Sequence, residues 1–214
     1  MIGIYGGTFN PVHYGHLRTA LEVKEQLALR EMRLIPCRLP VHRTEPVVSA
    51  DLRLAMLELA VAHTPGLCVD DRELLRSGPS FMVDTLQSIR SEQGDTPLLL
   101  VLGADAFANL ESWHNWQQLL TYAHIVVMTR PGFDTVPKLH PLLQSRCIEN
   151  AQLLKQQAAG WLFFQRVSLL EISASQIRHM LTTHSSAQFL LPDNVLAFIQ
   201  AHQLFQALPT PPGH

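Results

Sequence analysis

Ile2-Gly-Ile-Tyr-Gly-Gly-Thr-Phe-Asn-Pro-Val-His-Tyr-Gly-His16 is the stretch that decides the fold. Residues 2–5 form a short β-rich run, Gly6-Gly7 end it, and Leu17, Ala20, Leu21 and Leu27 then recur at the helical period over residues 14–29. The order is strand, glycine turn, helix. Two glycines let the backbone turn tightly and come close to a phosphate, while a following helix presents its free N–H groups and positive dipole end. The unit is therefore expected to cradle an anion at the carboxyl edge of a sheet. In open α/β sheets ligands bind at that edge, near the point where the strand order reverses.

Working outward, the same alternation repeats. Residues 33–36 read as a second strand, and Ser49 caps a helix whose apolar stripe is Leu52, Ala55, Met56, Leu59 and Ala60. A short strand near 67–69, a helix after Pro79-Ser80, the apolar run 98–102 and a strand at 125–129 continue it. Repeated βα units mean a parallel sheet covered by helices, and a run such as Leu98-Leu-Leu-Val-Leu102 suits a strand buried on both faces. The expected class is α/β, a doubly wound Rossmann-like parallel sheet with helices on both faces. Three prolines, at 131, 137 and 141, break the pattern between residues 131 and 160, which reads as an irregular excursion. A strand over 162–169 and helices over 174–181 and 193–202 close the chain, and the tail 209–214 is expected to fray. Residues 1–214 read as a single domain.

Composition excludes several classes. With 47% hydrophobic and 16% charged residues, the chain is neither disordered nor a coiled coil. A net charge of −2 provides no global field for a nucleic-acid backbone or an anionic membrane, so any anion must be held locally. The apolar runs are too short to span a bilayer, and no basic segment followed by an apolar stretch opens the chain, so a cytoplasmic location is expected. Three cysteines without a CxxC pair read as reduced packing residues. Among the 11 histidines, His13-x-x-His16 could be half of a metal site, but no cluster supplies the other half, and no protein metal ligand is assigned.

His13 and His16 lie three apart, about one helical turn, and can face one phosphate together. A lone histidine at a helix start is normally a solvated or capping residue; two behind a glycine turn favour anion binding. The segment is neither GxGxxG nor GxxxxGK[ST], so hydride-transfer and P-loop readings lack their defining residues. A second constellation, Ile172-Ser-Ala-Ser-Gln-Ile-Arg178, gives Ser173 and Gln176 the spacing of a capping box. It reads either as a cap alone or as a pyrophosphate receptor built from Ser175, Arg178 and a helix start.

Taken together, the two motifs resemble those of the nucleotidyltransferase superfamily, and most closely the nicotinate-nucleotide adenylyltransferases. Pro40-x-His42-Arg43, Pro79-Ser80, Gly103-x-Asp105, Trp113 and Arg130-Pro131-Gly132 extend the resemblance along the chain. It implies that Gly6, Gly7, Thr8, Phe9, His13, His16, Ser173, Ser175 and Arg178 bind ATP, with His13, His16 and Arg178 catalytic. His42, Arg43, Ser80, Phe81, Met82, Asp105, Trp113 and Arg130 would face nicotinate mononucleotide. It also implies magnesium, carried on phosphates and water rather than in a protein cage. The chain departs from the family pattern at three places. Asn10 stands for the usual Asp, Phe81-Met82 for Tyr-Thr, and Leu39-Pro-Val-His-Arg43 varies the Pro-Pro-His-Lys/Arg pattern. These changes bear on acceptor preference more than on chemistry. The alternatives are transfer to nicotinamide mononucleotide or phosphopantetheine, and a silent nucleotide-binding module. A homo-oligomer is compatible with the sequence.

Overall fold

The computed structural model describes residues 1–39, 46, 48–129, 139–168 and 170–206. The expected contacts of His42, Arg43 and Arg130 and the expected fraying at 209–214 lie outside the described residues.

Strand β1 (Ile2–Gly7) leads through helix α1 (Tyr14–Gln26) to β2 (Glu31–Pro36), and α2 (Ala50–Val61) leads to β3 (Leu67–Val69). The chain then crosses back over β1 through α3 (Arg72–Leu75) and α4 (Met82–Gln93) to β4 (Leu98–Gly103). Helices α5 (Ala104–Ala108) and α6 (Leu119–Tyr122) precede β5 (His124–Thr129). After α7 (Pro141–Gln144), β6 (Cys147–Ile148) and β7 (Leu162–Arg166), the chain ends in α8 (Ala174–Thr182) and α9 (Asp193–Ala201). The sheet order is β3-β2-β1-β4-β5-β7-β6, and every pair is parallel. β1 pairs with β2 from Ile2↔Glu31 to Gly7↔Pro36 and with β4 from Ile2↔Leu98 to Ile4↔Leu100. The order therefore reverses between β1 and β4, which places Gly7 and Gly103 at the switch point.

Alternation along the strands divides the core in two. Met32, Leu34, Leu99, Val101, Val126 and Met128 face one side, where they pack with residues such as Val23, Met56, Ile177 and Ile199. Ile2, Ile4, Leu98, Leu100, Ile125 and Val127 face the other, against Leu86, Ile89, Phe107, Leu119 and Leu143. This is the expected doubly wound sheet with helices on both faces, and β4 is buried from Leu98 to Leu102 because both faces are covered.

Two expectations change in detail. The buried line of α2 runs through Arg53, Met56, Leu57 and Val61, whereas Leu52, Ala55, Leu59 and Ala60 are only partly buried. Met56 is common to the expected stripe and the buried line, which also takes in a guanidinium that an apolar period cannot register. The excursion before residue 160 holds short elements, α7, β6 and a 3-10 turn at Ala151–Lys155, each too brief to show a period.

Candidate active site

The β1–α1 loop is the floor of the site. Phe9 has φ 46°, a left-handed conformation unusual for an aromatic residue, and the Asn10–Pro11 bond is cis. Gly7 leaves room for this turn, since a Cβ there would sit 3.0 Å from the Phe9 ring. The Phe9 ring, 2% exposed, packs edge-on beneath His16 at 5.1 Å and beside Tyr5 at 5.9 Å. Phe9 thus supports the histidine from below, with its ring buried in the core of the loop.

His13 and His16 do face one another, but not as two positions on a helix. His13 is the N-cap residue with extended backbone (φ −149°, ψ 169°), and its ring stacks on His16 with centroids 3.7 Å apart. Gly15 makes the stack possible: a Cβ there would lie 2.9 Å from His13 Nδ1 and 3.4 Å from the Ile172 carbonyl oxygen. Burial pushes the His13 pKa down to about 4, so the imidazole is neutral at neutral pH and stacks without charge repulsion. His13 Nδ1 and Asn10 Oδ1 are buried without a hydrogen-bond partner among the described residues.

The helix end is less available than the motif implied. Tyr14 N–H donates to the Leu190 carbonyl at 3.0 Å and His16 N–H to the His13 carbonyl at 2.9 Å. Two of the first-turn N–H groups of α1 are thus already engaged within the chain.

The late motif meets this loop. Ser173 caps α8, accepting from Gln176 N–H at 3.1 Å, so the capping reading holds. Arg178 reaches across 168 residues of sequence to donate from Nη1 to the Asn10 carbonyl at 2.8 Å, and from Nη2 to Ser175 Oγ at 3.1 Å. Two of its five N–H groups are so engaged, and the fork holds the loop besides facing the open edge.

The opposite wall is the start of α4. Met82 Cε lies 2.5 Å from where a Gly6 Cβ would be, which brings the Ser80-Phe81-Met82 turn onto the end of β1. Ser80 Oγ accepts from Arg38 N–H at 3.0 Å. No side chain caps α4, and Phe81, its N-cap residue, stacks on His114 at 4.3 Å. Trp113 is half-buried and packs with Phe81 and Met82 on the same apolar cluster, while Asp105 is exposed in the first turn of α5.

Sequence reasoning missed Arg53 and His114. Arg53 is 0% exposed yet carries a guanidinium, and its position inside an apolar stripe was the only available signal. His114 adjoins Trp113, but only the fold shows that it meets Phe81. Among the described residues, no group of three or more His, Cys, Asp or Glu could hold a metal, and no helix is long and apolar enough to cross a membrane.

Comparison with known proteins fits this geometry. The nicotinic acid mononucleotide adenylyltransferase of Plasmodium falciparum, solved in complex with NaAD, superposes with a TM-score of 0.72 at 16% identity, over 95% of this chain and 96% of that one. Its complex with APC gives 0.70 over the same shares. These likenesses confirm the fold. The cytidylyltransferase-like family model matches residues 4–180. A protein of Methylococcus capsulatus named "probable nicotinate-nucleotide adenylyltransferase" is 50% identical over 96% of this chain and 99% of its own length. One of the same name from Pseudomonas entomophila is 51% identical over 96% and 95%. The chain belongs to the nicotinate-nucleotide adenylyltransferase family. The Gly6–His16 loop, the α4 start and Arg178 meet at the switch point of the sheet, the edge where open α/β sheets bind ligands.

Proposed function

We propose that the protein transfers the adenylyl group of ATP to nicotinate mononucleotide, giving nicotinate adenine dinucleotide and pyrophosphate. The observation that carries this reading is the Arg178–Asn10 bridge, which joins the two family motifs into one site at the switch point.

The acceptor phosphate is ionised at neutral pH and can attack the α-phosphorus directly. A new P–O bond forms in line as the bond to the β-phosphate oxygen breaks, and pyrophosphate leaves with the electron pair. No general base or covalent intermediate is needed. The protein aligns the two substrates and stabilises charge as it develops. Neutral His13 and the neighbouring His16 act as N–H donors to phosphate oxygens, and Arg178 offers its remaining donors to the leaving group. Asn10 Oδ1, a buried acceptor without a partner among the described residues, would accept from a water of a magnesium ion carried on the triphosphate, and such an ion would neutralise phosphate charge. Trp113 provides a flat apolar surface for the pyridine ring. The uncapped start of α4 supplies main-chain donors and a positive dipole end for the carboxylate. Acid recognition then needs neither hydroxyl of the usual Tyr-Thr pair. Substrates are small molecules, and the site calls for no nucleic acid or membrane.

The test follows the label. With α-³²P-ATP and nicotinate mononucleotide, the label should appear in the dinucleotide; with γ-³²P-ATP, it should appear in pyrophosphate. Label released as free AMP, or none transferred, would refute the reading.

A further inference from the structure

Outside the converging edge lie a groove between α1, α2 and the start of α9, three free thiols, an exposed Phe189, and Arg53. The first three show nothing that would occupy or modify them. Arg53 carries more.

Arg53 lies on α2, behind the site, and is fully buried. Each of its nitrogens donates to a different main-chain carbonyl: Nη1 to Thr8 at 2.8 Å, Nη2 to Arg38 at 3.3 Å and Nε to Val48 at 3.3 Å. Those carbonyls belong to three segments, the loop after β1, the end of β2 and the entry to α2. Among the described residues Arg53 makes no ion pair with a carboxylate. Burying a cation against carbonyl dipoles alone is costly, and an apolar side chain of similar volume is often no less stabilising than a buried charge. Stability therefore does not explain why an arginine is there. Its geometry does, because a rigid fork sets three carbonyl positions at once, which a flexible ammonium cannot do. The neighbouring contacts serve the same segment: Cys37 N–H donates to the Gly7 carbonyl at 3.0 Å, and its thiol lies 3.7 Å from Thr8 Oγ1.

We infer that Arg53 is a positioning residue for adenylyl transfer, which fixes the Gly6–Asn10 loop from the α2 side through the Thr8 carbonyl, while Arg178 fixes the same loop from the α8 side through Asn10. This rests on the reading of the site as adenylyl-transferring. It assigns no substrate contact to Arg53. Its effect passes through the placement of loop donors that stabilise charge only in the transition state, so it should show in kcat more than in KM.

The test compares Arg53→Lys and Arg53→Met with the unaltered protein, using magnesium-ATP and nicotinate mononucleotide well below each variant's melting temperature. A shift of the loop by about 1 Å is enough to lower kcat by about 100-fold. We expect both variants to fold, with Arg53→Met melting close to the unaltered protein, kcat to fall tenfold or more in each, and KM for ATP to change less than threefold. Arg53→Lys, which keeps the charge and loses the fork, should not rescue. A double variant with Arg178→Lys should lose less than the product of the two single losses, because both residues hold one loop. Three results would overturn the inference: kcat within twofold of the unaltered protein, full rescue by lysine, or failure of Arg53→Lys to fold, which would make the residue a structural post. If the unaltered protein itself transfers no AMP, the functional reading fails instead, whatever the variants do.

Discussion

Gly15→Ala separates what helix formation wants from what the site wants. Alanine is the best helix former, and replacing a glycine inside a helix typically stabilises it by about 0.5–1 kcal/mol. Gly15 lies in the first turn of α1 with no left-handed φ, so the backbone accepts an alanine. The side chain does not fit as things stand. Its Cβ would lie 2.9 Å from His13 Nδ1 and 3.0 Å from Cε1, whereas carbon and its neighbours settle at about 3.5–4.0 Å. The imidazole has to retreat by about half an ångström, and the Ile172 carbonyl at 3.4 Å limits how far the helix itself can give. Because His13 rests on His16 at 3.7 Å, moving one ring disturbs both donors. A displacement of that size should cost about 10-fold to 100-fold in kcat. Propensity and strain nearly cancel in stability, leaving the melting free energy within about 1 kcal/mol of the original. Pyrophosphate release under saturating substrates and a thermal melt measure the two quantities separately. A kcat within twofold of the unaltered protein would refute the idea that the stacked histidines act through their position.

The histidines and the tryptophan give further tests. His16→Ala should lower turnover by about 100-fold or more with little effect on folding, and the His13→Ala, His16→Ala pair should be less than additive if both serve one phosphate; near-normal turnover in steady-state assays would leave them as helix-start residues. Burial holds His13 near pKa 4 in the folded chain against 6.5 unfolded, so between those values the unfolded chain binds the extra proton and stability falls as pH falls. Urea unfolding from pH 7 to pH 4 should show His13 contributing up to about 3 kcal/mol of that loss, and His13→Gln should have a visibly flatter profile. A profile unchanged by the substitution would show that His13 titrates normally. Trp113→Ala should raise KM for nicotinate mononucleotide much more than KM for ATP, through loss of the flat apolar surface.

Where side-chain chemistry and burial agree, the fold was legible in the sequence. The continuous apolar run 98–102 suited a strand covered on both faces, which β4 is, and the Gly6-Gly7 break placed the first loop at the sheet's edge. Legibility failed where one residue answers to distant partners. The buried line of α2 contains Arg53, whose partners Thr8 and Arg38 belong to other segments, so no local period could reveal it. His13 and His16 were legible as a pair, but their stacking depends on a non-helical N-cap and on Gly15, which spacing alone misassigned to one turn of helix. Phe9 lies within the motif, and only packing shows that its ring is buried beneath His16. The Ser173 cap was legible locally, but that Arg178 reaches the first motif was not, since its contact with Asn10 spans 168 residues.

The acceptor is decided by steady-state pyrophosphate release with magnesium-ATP and nicotinate mononucleotide, nicotinamide mononucleotide or phosphopantetheine in turn. With the α4 start reading the carboxylate through main-chain donors, the specificity constant should be highest for the acid, lower for the amide, and undetectable for phosphopantetheine. Equal constants for acid and amide, or a preference for the amide, would contradict the nicotinate assignment while leaving adenylyl transfer standing.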